Sequence, residues 1–340
     1  MAIKSNERIL LSHGAGGKLA HDLVMNLFLP RLSNPALETM DDGAVLANTP
    51  PGQLAVSTDC FVVDPIFFPG GDIGRLAICG TVNDVAMTGA KPRWLTAGFI
   101  LEEGFPIADL ERIVDSMAET AREAGVGIAA GDTKVVPRGH ADKIFINTAG
   151  FGWRQEGVAP HGAGARPGDA VLASGTLGDH EICLMTLRAG LSLDGNVDSD
   201  VAPVSGLVSA LIEAGIELHA LRDPTRGGTA TVLNEIATSS QAAIRIEEEA
   251  IPLRPGVRGA CEIMGFDPLY LASEGKMIVI LPEAEAKRAI EIMQAHPYGK
   301  GACKIGEVLE GPAGRVTLRT SIGGERIVDM LTGEMLPRIC

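Results

Sequence analysis

Short acidic segments recur along this chain of 340 residues, beside small residues at the ends of predicted strands and helices. Carboxylate oxygens supplied by several elements, without a cluster of His or Cys, are typical of a site for a hard cation such as Mg²⁺. Such a cation is commonly bound together with phosphates, which makes ATP the expected co-ligand. The candidate metal ligands are Asp42, Asp59, Asp84 and Asp223.

Each of these carboxylates has a structural alternative, because Asp at a strand end or helix start often caps or turns the backbone. Asp41 in particular could simply support Asp42. Asp84 is the exception, since it lies inside the apolar helical pattern RLAICGTVNDVAMTG, where an unpaired carboxylate is costly. It requires a cation or a hydrogen-bond donor as a partner.

Two glycine-rich segments could bind the phosphates. Segment 13–18, HGAGGK, precedes a helical pattern, and the N–H groups at a helix start can bind phosphate, but it matches neither the P-loop nor the G-x-G-x-x-G fingerprint. Segment 222–228, RDPTRGG, combines a rigid turn, a cation and a helix start, although a turn with a helix cap would explain much of it. The candidate nucleotide-binding residues are Gly14, Gly16, Gly17, Asn83, Asp132, Thr133, Arg226 and Gly227.

The candidate catalytic residues are Lys134 and Glu274, for proton transfer, and the thiol of Cys340. Lys134 and Glu274 could also be solvated surface charges. The six cysteines are scattered without a C-x-x-C pair, which indicates reduced thiols, and most lie in apolar stretches typical of buried cysteine. Cys340 is different, because a chain end is rarely buried, and Arg338 could provide it with a cationic neighbour.

Composition excludes some classes of function. A net charge of −14 without a Lys/Arg run argues against nucleic-acid binding. The amino terminus has no apolar signal region, and no run of about 18 apolar residues occurs, so we expect a cytoplasmic protein without a membrane span. With 46% hydrophobic but only 4% aromatic residues, the chain fits an α/β enzyme with an aliphatic core.

Apolar periodicity predicts two α/β units that must position these residues. The first contains a strand from Leu54, a helix over 74–89 and an amphipathic helix over 106–124. A Gly/Pro-rich stretch at 153–168 indicates a boundary between the units. We therefore predict an N-terminal domain over 1–152, a C-terminal domain over 153–319 and a mobile tail over 320–340.

Motifs along the whole chain resemble the HypE family of hydrogenase expression/formation proteins. They include SHGAGG, MDDGAVL, the long stretch over 57–92, AAGDTKVV, RDPTRGG and the terminal PRIC. This family belongs to the superfamily of aminoimidazole ribonucleotide (AIR) synthetase, selenophosphate synthetase and thiamine-monophosphate kinase. The resemblance implies a two-domain, PurM-like α/β (α+β) fold with a flexible C-terminal tail, and a homodimer formed through the N-terminal sheets.

The resemblance also implies a reaction. The thiol of Cys340 would receive a carbamoyl group from the carbamoyltransferase HypF, and ATP with Mg²⁺ would drive its dehydration to a thiocyanate. The cyanide would then pass to iron on the HypC/HypD scaffold. This scheme is chemically sound, because the carbonyl oxygen leaves only after phosphorylation and a base must remove the nitrogen protons.

Three alternatives remain beside this interpretation. Selenophosphate synthetase would need a reactive Cys or selenocysteine in the Gly-rich arm, where this chain has His13, and thiamine-monophosphate kinase needs no terminal cysteine. A non-catalytic carrier would have no use for a magnesium site.

The chain also departs from the family at LGDHEICLM, where Glu181 stands in place of an expected glycine and puts the turn at 178–182 in doubt.

Overall fold

The computed structural model describes residues 7–15, 17–40, 43–46, 50–191, 197–333 and 336–340. In this part of the chain strands alternate with helices, and no helix is long and apolar enough to span a membrane. The strands are β1 Gln53–Phe61, β2 Phe67–Phe68, β3 Gly71–Asp72, β4 Lys91–Glu102, β5 Gly127–Val136, β6 Ile144–Arg154, β7 Asp169–Ala173, β8 Ala220–Arg222, β9 Ala243–Glu247, β10 Ile278–Pro282, β11 Cys303–Leu309, β12 Val316–Arg319 and β13 Glu325–Ile327. The helices are α1 Lys18–Leu23, α2 Leu29–Leu32, α3 Ile73–Met87, α4 Ile107–Ala124, α5 Asp179–Ala189, α6 Ser205–Glu213, α7 Gly228–Ser239, α8 Pro255–Met264 and α9 Glu283–Ala295.

The N-terminal sheet has the order β1-β6-β4-β5, with β4 and β5 parallel and the other pairs antiparallel. Helix α4 confirms the predicted helix over 106–124: its apolar positions 110, 113, 114 and 117 are buried, and Gly125 ends it with a φ of 69°. Because side chains alternate along a strand, the sheet face opposite the helices carries Val56 and Ile100, which are 56% and 45% exposed.

Glycines allow helix α3 to pack closely against β1 and β6. A Cβ atom on Gly80 would lie 2.9 Å from the Phe61 ring, and one on Gly150 would lie 2.8 Å from the side chain of Thr81. Asp72 caps the start of α3 by accepting the N–H group of Gly74 at 2.8 Å. The close approach sets the polar residues of α3 directly beside β1.

The C-terminal sheet has the order β13-β12-β9-β11-β7-β10-β8, and β7 is buried along its whole length. Residues 155–168, all of them described, contain neither helix nor strand, and they connect the two sheets. Strand β13 lies within the segment predicted as a mobile tail, yet it pairs with β12, and Val328 after it is fully buried. The C-terminal sheet therefore extends into that segment.

Candidate active site

The last three residues lie in the cleft between the two domains. The N–H group of Val62, just after β1, donates to the main-chain oxygen of Cys340 at 3.0 Å, and that of Asp64 donates to the carbonyl oxygen of Arg338 at 3.3 Å. On the other side, Nε2 of His180 lies 2.7 Å from the carbonyl oxygen of Ile339. Cys340 is only 8% exposed, so the expectation of an exposed terminal thiol is wrong, because strand-like pairing satisfies the backbone of the tail.

Arg188 of α5 holds the tail against the N-terminal domain. Its guanidinium group donates from Nε to the carbonyl oxygen of Asp64 at 2.6 Å, from Nη1 to Pro337 at 2.7 Å and from Nη2 to Arg338 at 2.5 Å. The side chain of Arg338 is itself engaged elsewhere, with Asp142 at 2.6 Å. Arg338 is therefore a docking residue, and the expectation that it lies beside the thiol is wrong.

The docked thiol is buried and lies near acidic side chains. Burial, followed by the nearby Glu274 carboxylate, raises the pKa of Cys340 to about 12, while Arg226 opposes the shift. A cavity of about 430 Å³ adjoins the thiol and is lined by Glu181, Arg226 and Thr231 among others. Because a neutral thiol is a poor nucleophile, the docked state suits a sulfur that already carries an acyl group.

Glu274 is a buried carboxylate whose charge acts on the thiol of Cys340. It is 3% exposed, its N–H group donates to Asp200 at 3.0 Å, and its carbonyl oxygen accepts a hydrogen bond from Asn83 at 3.3 Å. Within the described residues, its Oε1 atom has no hydrogen-bond partner. Burial, and then the charges of Asp223 and Asp200, raise the pKa of Glu274 well above its ordinary value. A carboxylate of this kind is a strong base for a side chain of its type.

Asn83 connects the two domains. Its side-chain nitrogen donates to the carbonyl oxygens of Ala202, at 3.0 Å, and Glu274, and its oxygen accepts the N–H group of Val204 at 2.8 Å. The side chain is 1% exposed, and both of its amide hydrogens are used. The prediction that Asn83 binds the cofactor directly is therefore corrected, since these contacts make it a residue that positions Glu274.

Three of the predicted metal ligands lie near one another. Asp84 on α3 accepts a hydrogen bond from the Ser57 hydroxyl of β1 at 2.8 Å, and Asp59 is two residues further along the same strand face. Burial raises the pKa of Asp59 and of Asp84, and burial together with Asp84 raises the pKa of Asp223 to about 7. Asp59 lies within β1 rather than at a strand end. Burial thus disfavours the charged form of all three carboxylates, and repulsion from Asp84 adds to this effect at Asp59 and Asp223.

The residues fit a Mg²⁺ ion that arrives with phosphates. Among the residues the structure describes, no three His, Cys, Asp or Glu side chains are close enough to hold a metal by themselves. Mg²⁺ usually takes one or two carboxylates and completes its shell with water and substrate phosphates, so a preformed cage is not required. A divalent cation would also relieve the repulsion among Asp59, Asp84 and Asp223, which together form the acidic group of the site. Two further candidates, Asp42 and Gly16, lie outside the described residues.

A second cavity, of about 560 Å³, adjoins the acidic group. It is lined by Asp84, Asp223, Arg222, Arg226 and Thr231, and the last two also line the cavity beside Cys340. Gly227 precedes α7 with a φ of 77°, a conformation that favours glycine, so the turn presents Arg226 between the two cavities. The candidates Arg226 and Gly227 are thus brought together with the carboxylates and the thiol.

The other candidates lie on the far edge of the N-terminal sheet. Gly14 packs on β5, where a Cβ atom would lie 2.5 Å from the nitrogen of Val135, and the described surroundings of Gly17 leave it in open space. Lys134 Nζ pairs with Asp132 at 2.5 Å, and both line a separate cavity of about 360 Å³ with Thr133. Strands β5 and β1 are three inter-strand spacings apart, roughly 14 Å. Within one chain, therefore, Lys134 does not meet Cys340, and Asp132 lies inside a strand rather than at its end.

Several residues of the site were not predicted. His180 and Arg188 bind the tail, and Asp200, which pairs with Lys276 at 3.0 Å, fixes the backbone of Glu274. Their contacts run mostly to backbone groups far away in the chain, which leaves no local pattern. Arg222 was visible in the RDPTRGG segment, and its charge beside Asp84 was a usable signal.

Known proteins share this arrangement over nearly the whole chain. A family model described as AIR synthase related protein, N-terminal domain, matches residues 40–153, and its C-terminal counterpart matches residues 166–319. The carbamoyl dehydratase HypE of Cupriavidus necator is 50% identical over 338 residues, covering 99% of this chain and 96% of that protein.

Solved structures agree with the sequence similarity. The crystal structure of hydrogenase maturation protein HypE in complex with ATP has a TM-score of 0.94 and 52% identity, covering 97% of this chain and 99% of that one. A chain of the HypE-HypF complex has a TM-score of 0.80 and 50% identity, covering 93% and 100%. The predicted two-domain PurM-like fold is confirmed. The chain belongs to the HypE family of carbamoyl dehydratases.

Proposed function

We propose that this protein dehydrates an S-carbamoyl group on Cys340 to a thiocyanate in an ATP-dependent reaction, and that the product supplies the cyanide ligand for the iron of a NiFe hydrogenase. One observation carries the proposal. Cys340 is docked beside Glu274, a buried carboxylate with an unpartnered oxygen among the described residues, in a cleft that adjoins the acidic group. We assign the role of base to Glu274 and the role of phosphate-binding region to the acidic group that adjoins the cleft.

The reaction balances with residues in this cleft. The carbonyl oxygen of the S-carbamoyl group takes the γ-phosphoryl group of ATP, the C–O bond then breaks, and inorganic phosphate leaves with that oxygen. Two protons leave the nitrogen as the C≡N bond forms: we assign Glu274 to accept one of them, and the departing phosphate or solvent takes the other. Because Cys340 is 8% exposed, water has little access to the activated carbon.

ATP and Mg²⁺ complete the proposal. A HypE relative has been solved with ATP, and here Arg226 and Gly227 would contact phosphates beside the acidic group. Asp59, Asp84 and Asp223 would hold Mg²⁺, which spreads the charge of the transferring phosphoryl group. The cavity of about 560 Å³ lined by Asp84 and Asp223 is the proposed phosphate region.

Loading requires the tail to leave the cleft. The docked thiol is buried, and its pKa is raised to about 12, so a donor enzyme could neither reach it nor find it ionised. HypF, found in complex with a relative, is the proposed carbamoyl donor, and the HypC/HypD iron scaffold is the proposed cyanide acceptor. The tail would therefore alternate between a docked state for chemistry and an extended state for exchange with partners.

A homodimer is also proposed. The open face of the N-terminal sheet exposes 56% of Val56 and 45% of Ile100, large apolar side chains that a second copy would cover. Asp132 and Lys134 lie on the same face, since Gly98 and Ile100 are their register partners. A dimer through this face would bring Lys134 of one protomer towards the other protomer. The predicted catalytic role of Lys134 would then be exerted between protomers.

The test follows the mass of the C-terminal peptide. S-carbamoylated protein given Mg²⁺ and ATP should lose the mass of one water from that peptide for each ADP released. Cys340→Ala should abolish loading, whereas Cys303→Ala, away from the cleft, should load normally. Glu274→Gln should load but keep its carbamoyl group.

Two outcomes would contradict the proposal. Release of ADP with an unchanged peptide mass would exclude the dehydratase reaction. Loading on a cysteine other than Cys340 would exclude the assignment of the tail.

A further inference from the structure

Glu181 faces the cavity beside Cys340, and the chemistry above does not use it. It lies in the first turn of α5 and is 1% exposed. Its Oε2 atom accepts the N–H group of Ala272 at 2.7 Å, which fixes the carboxylate within the C-terminal domain. In the part of the chain that is described, Oε1 has no hydrogen-bond partner. A buried carboxylate oxygen without a partner is costly, so a ligand for it is expected.

The S-carbamoyl group supplies the complementary donors. Its nitrogen carries two N–H bonds, and two buried carboxylates near Cys340, Glu274 and Glu181, each present one oxygen that lacks a partner among the described residues. The cavity lined by Glu181 and Cys340, at about 430 Å³, has room for so small a group. The number of donors on the group therefore matches the number of unpartnered acceptor oxygens.

We propose that Glu181 is a substrate-binding residue whose Oε1 atom accepts one N–H of the S-carbamoyl group and turns the other N–H towards Glu274. This inference rests on the proposed function. It also predicts that the site binds the S-carbamoyl group more tightly than the thiocyanate. A thiocyanate has no N–H and would lose the contact with Glu181.

This role requires the ionised form of Glu181. Burial raises the pKa of Glu181, while the Ala272 N–H group and Arg188 oppose the shift, and the first turn of α5 favours a negative charge. Because the N–H of Ala272 must face an oxygen, a glutamine at this position would point its NH₂ group into the cavity. The isosteric substitution thus replaces the acceptor by a donor and sets it against the carbamoyl N–H groups.

The order of two variants separates binding from mere filling of space. If Glu181 binds the substrate, Glu181→Gln should slow dehydration about tenfold or more, whereas Glu181→Gly should lose less, since water can enter and accept the N–H. If Glu181 only fills the cavity, Gln should be harmless and Gly worse. Glu213→Gln, an exposed glutamate at the end of α6, is the matched control.

The assay is a single turnover at mildly alkaline pH, where the carboxylate form of Glu181 is favoured. Cyanate, which adds to a thiol to give the S-carbamoyl group, loads Cys340 without a partner enzyme, and the mass of the C-terminal peptide after addition of Mg²⁺ and ATP reports dehydration. Added formate should restore the rate of Glu181→Ala, a rescue that a purely structural role does not predict. This rescue also serves if the Gln variant fails to fold.

The outcomes separate this inference from the proposed function. Wild-type protein that dehydrates while Glu181→Gln matches its rate would overturn the inference and leave the proposed function intact. A Gly variant slower than the Gln variant would do the same. Wild-type protein that keeps its carbamoyl group would overturn both.

Discussion

Arg188 should control how much of the time the tail is docked. Of its three hydrogen bonds to carbonyl oxygens, two reach the tail, at Pro337 and Arg338. A hydrogen bond from a charged donor contributes about 1.5–3 kcal/mol, and we take the lower end because the guanidinium is partly exposed. Arg188→Ala should therefore weaken docking by about 3 kcal/mol, which raises the ratio of extended to docked tails roughly 100-fold.

Alkylation of Cys340 measures this ratio. In the docked state the pKa of the thiol is raised to about 12, whereas a free cysteine has a pKa of about 8.5, so iodoacetamide at mildly alkaline pH reacts almost entirely with the extended state. When docking is fast relative to alkylation, the rate follows the extended fraction. Arg188→Ala should accelerate labelling of the C-terminal peptide towards the rate of a free peptide.

Matched variants make the test specific. Arg188→Lys should fall between wild type and Ala, since an ammonium group cannot reproduce the planar fork that reaches three carbonyl oxygens. Arg258→Ala, an exposed arginine on α8, should label at the wild-type rate. If Cys340 of Arg188→Ala is labelled at a rate within twofold of wild type, Arg188 does not control docking of the tail.

Docking should also depend on pH. Burial raises the pKa of Cys340 to about 12 in the docked state, so docking should be unaffected below the ordinary thiol pKa of about 8.5 and should weaken about tenfold per pH unit above it. The Ile339 methyl signals in NMR should report this change, and in Cys340→Ser they should not change with pH. In sedimentation, Val56→Arg should convert the proposed homodimer to monomers, whereas Ile322→Arg, at a position 94% exposed, should not. A Val56→Arg variant that stays dimeric would exclude the open face of the N-terminal sheet as the interface.

Helix boundaries and the partner requirement of a buried carboxylate could be predicted from the sequence. The amphipathic pattern over 106–124 predicted α4 within one residue, because helix periodicity and a terminal glycine act over a few neighbouring positions. The apolar surroundings of Asp84 predicted that it needs a partner, and the structure supplies the Ser57 hydroxyl. Motifs such as RDPTRGG and PRIC were sufficient to indicate the family.

The assembly of the site was not legible, since its contacts join positions far apart in the chain. Asn83 has the composition of a ligand, yet it links α3 to Ala202 and Glu274, more than 100 positions away. Lys134 has the chemistry of a catalytic residue, but the strand order puts it across the sheet from β1.

The terminal thiol shows the division most clearly. Sequence by itself determined that Cys340 is a cysteine at the end of a segment with the family motif. Only tertiary structure decided that it is buried, because Val62, His180 and Arg188 come from two domains and bond to the backbone of the tail at Cys340, Ile339 and Arg338. Local propensity acts on near neighbours, whereas burial and the pKa it raises depend on what the whole fold brings together.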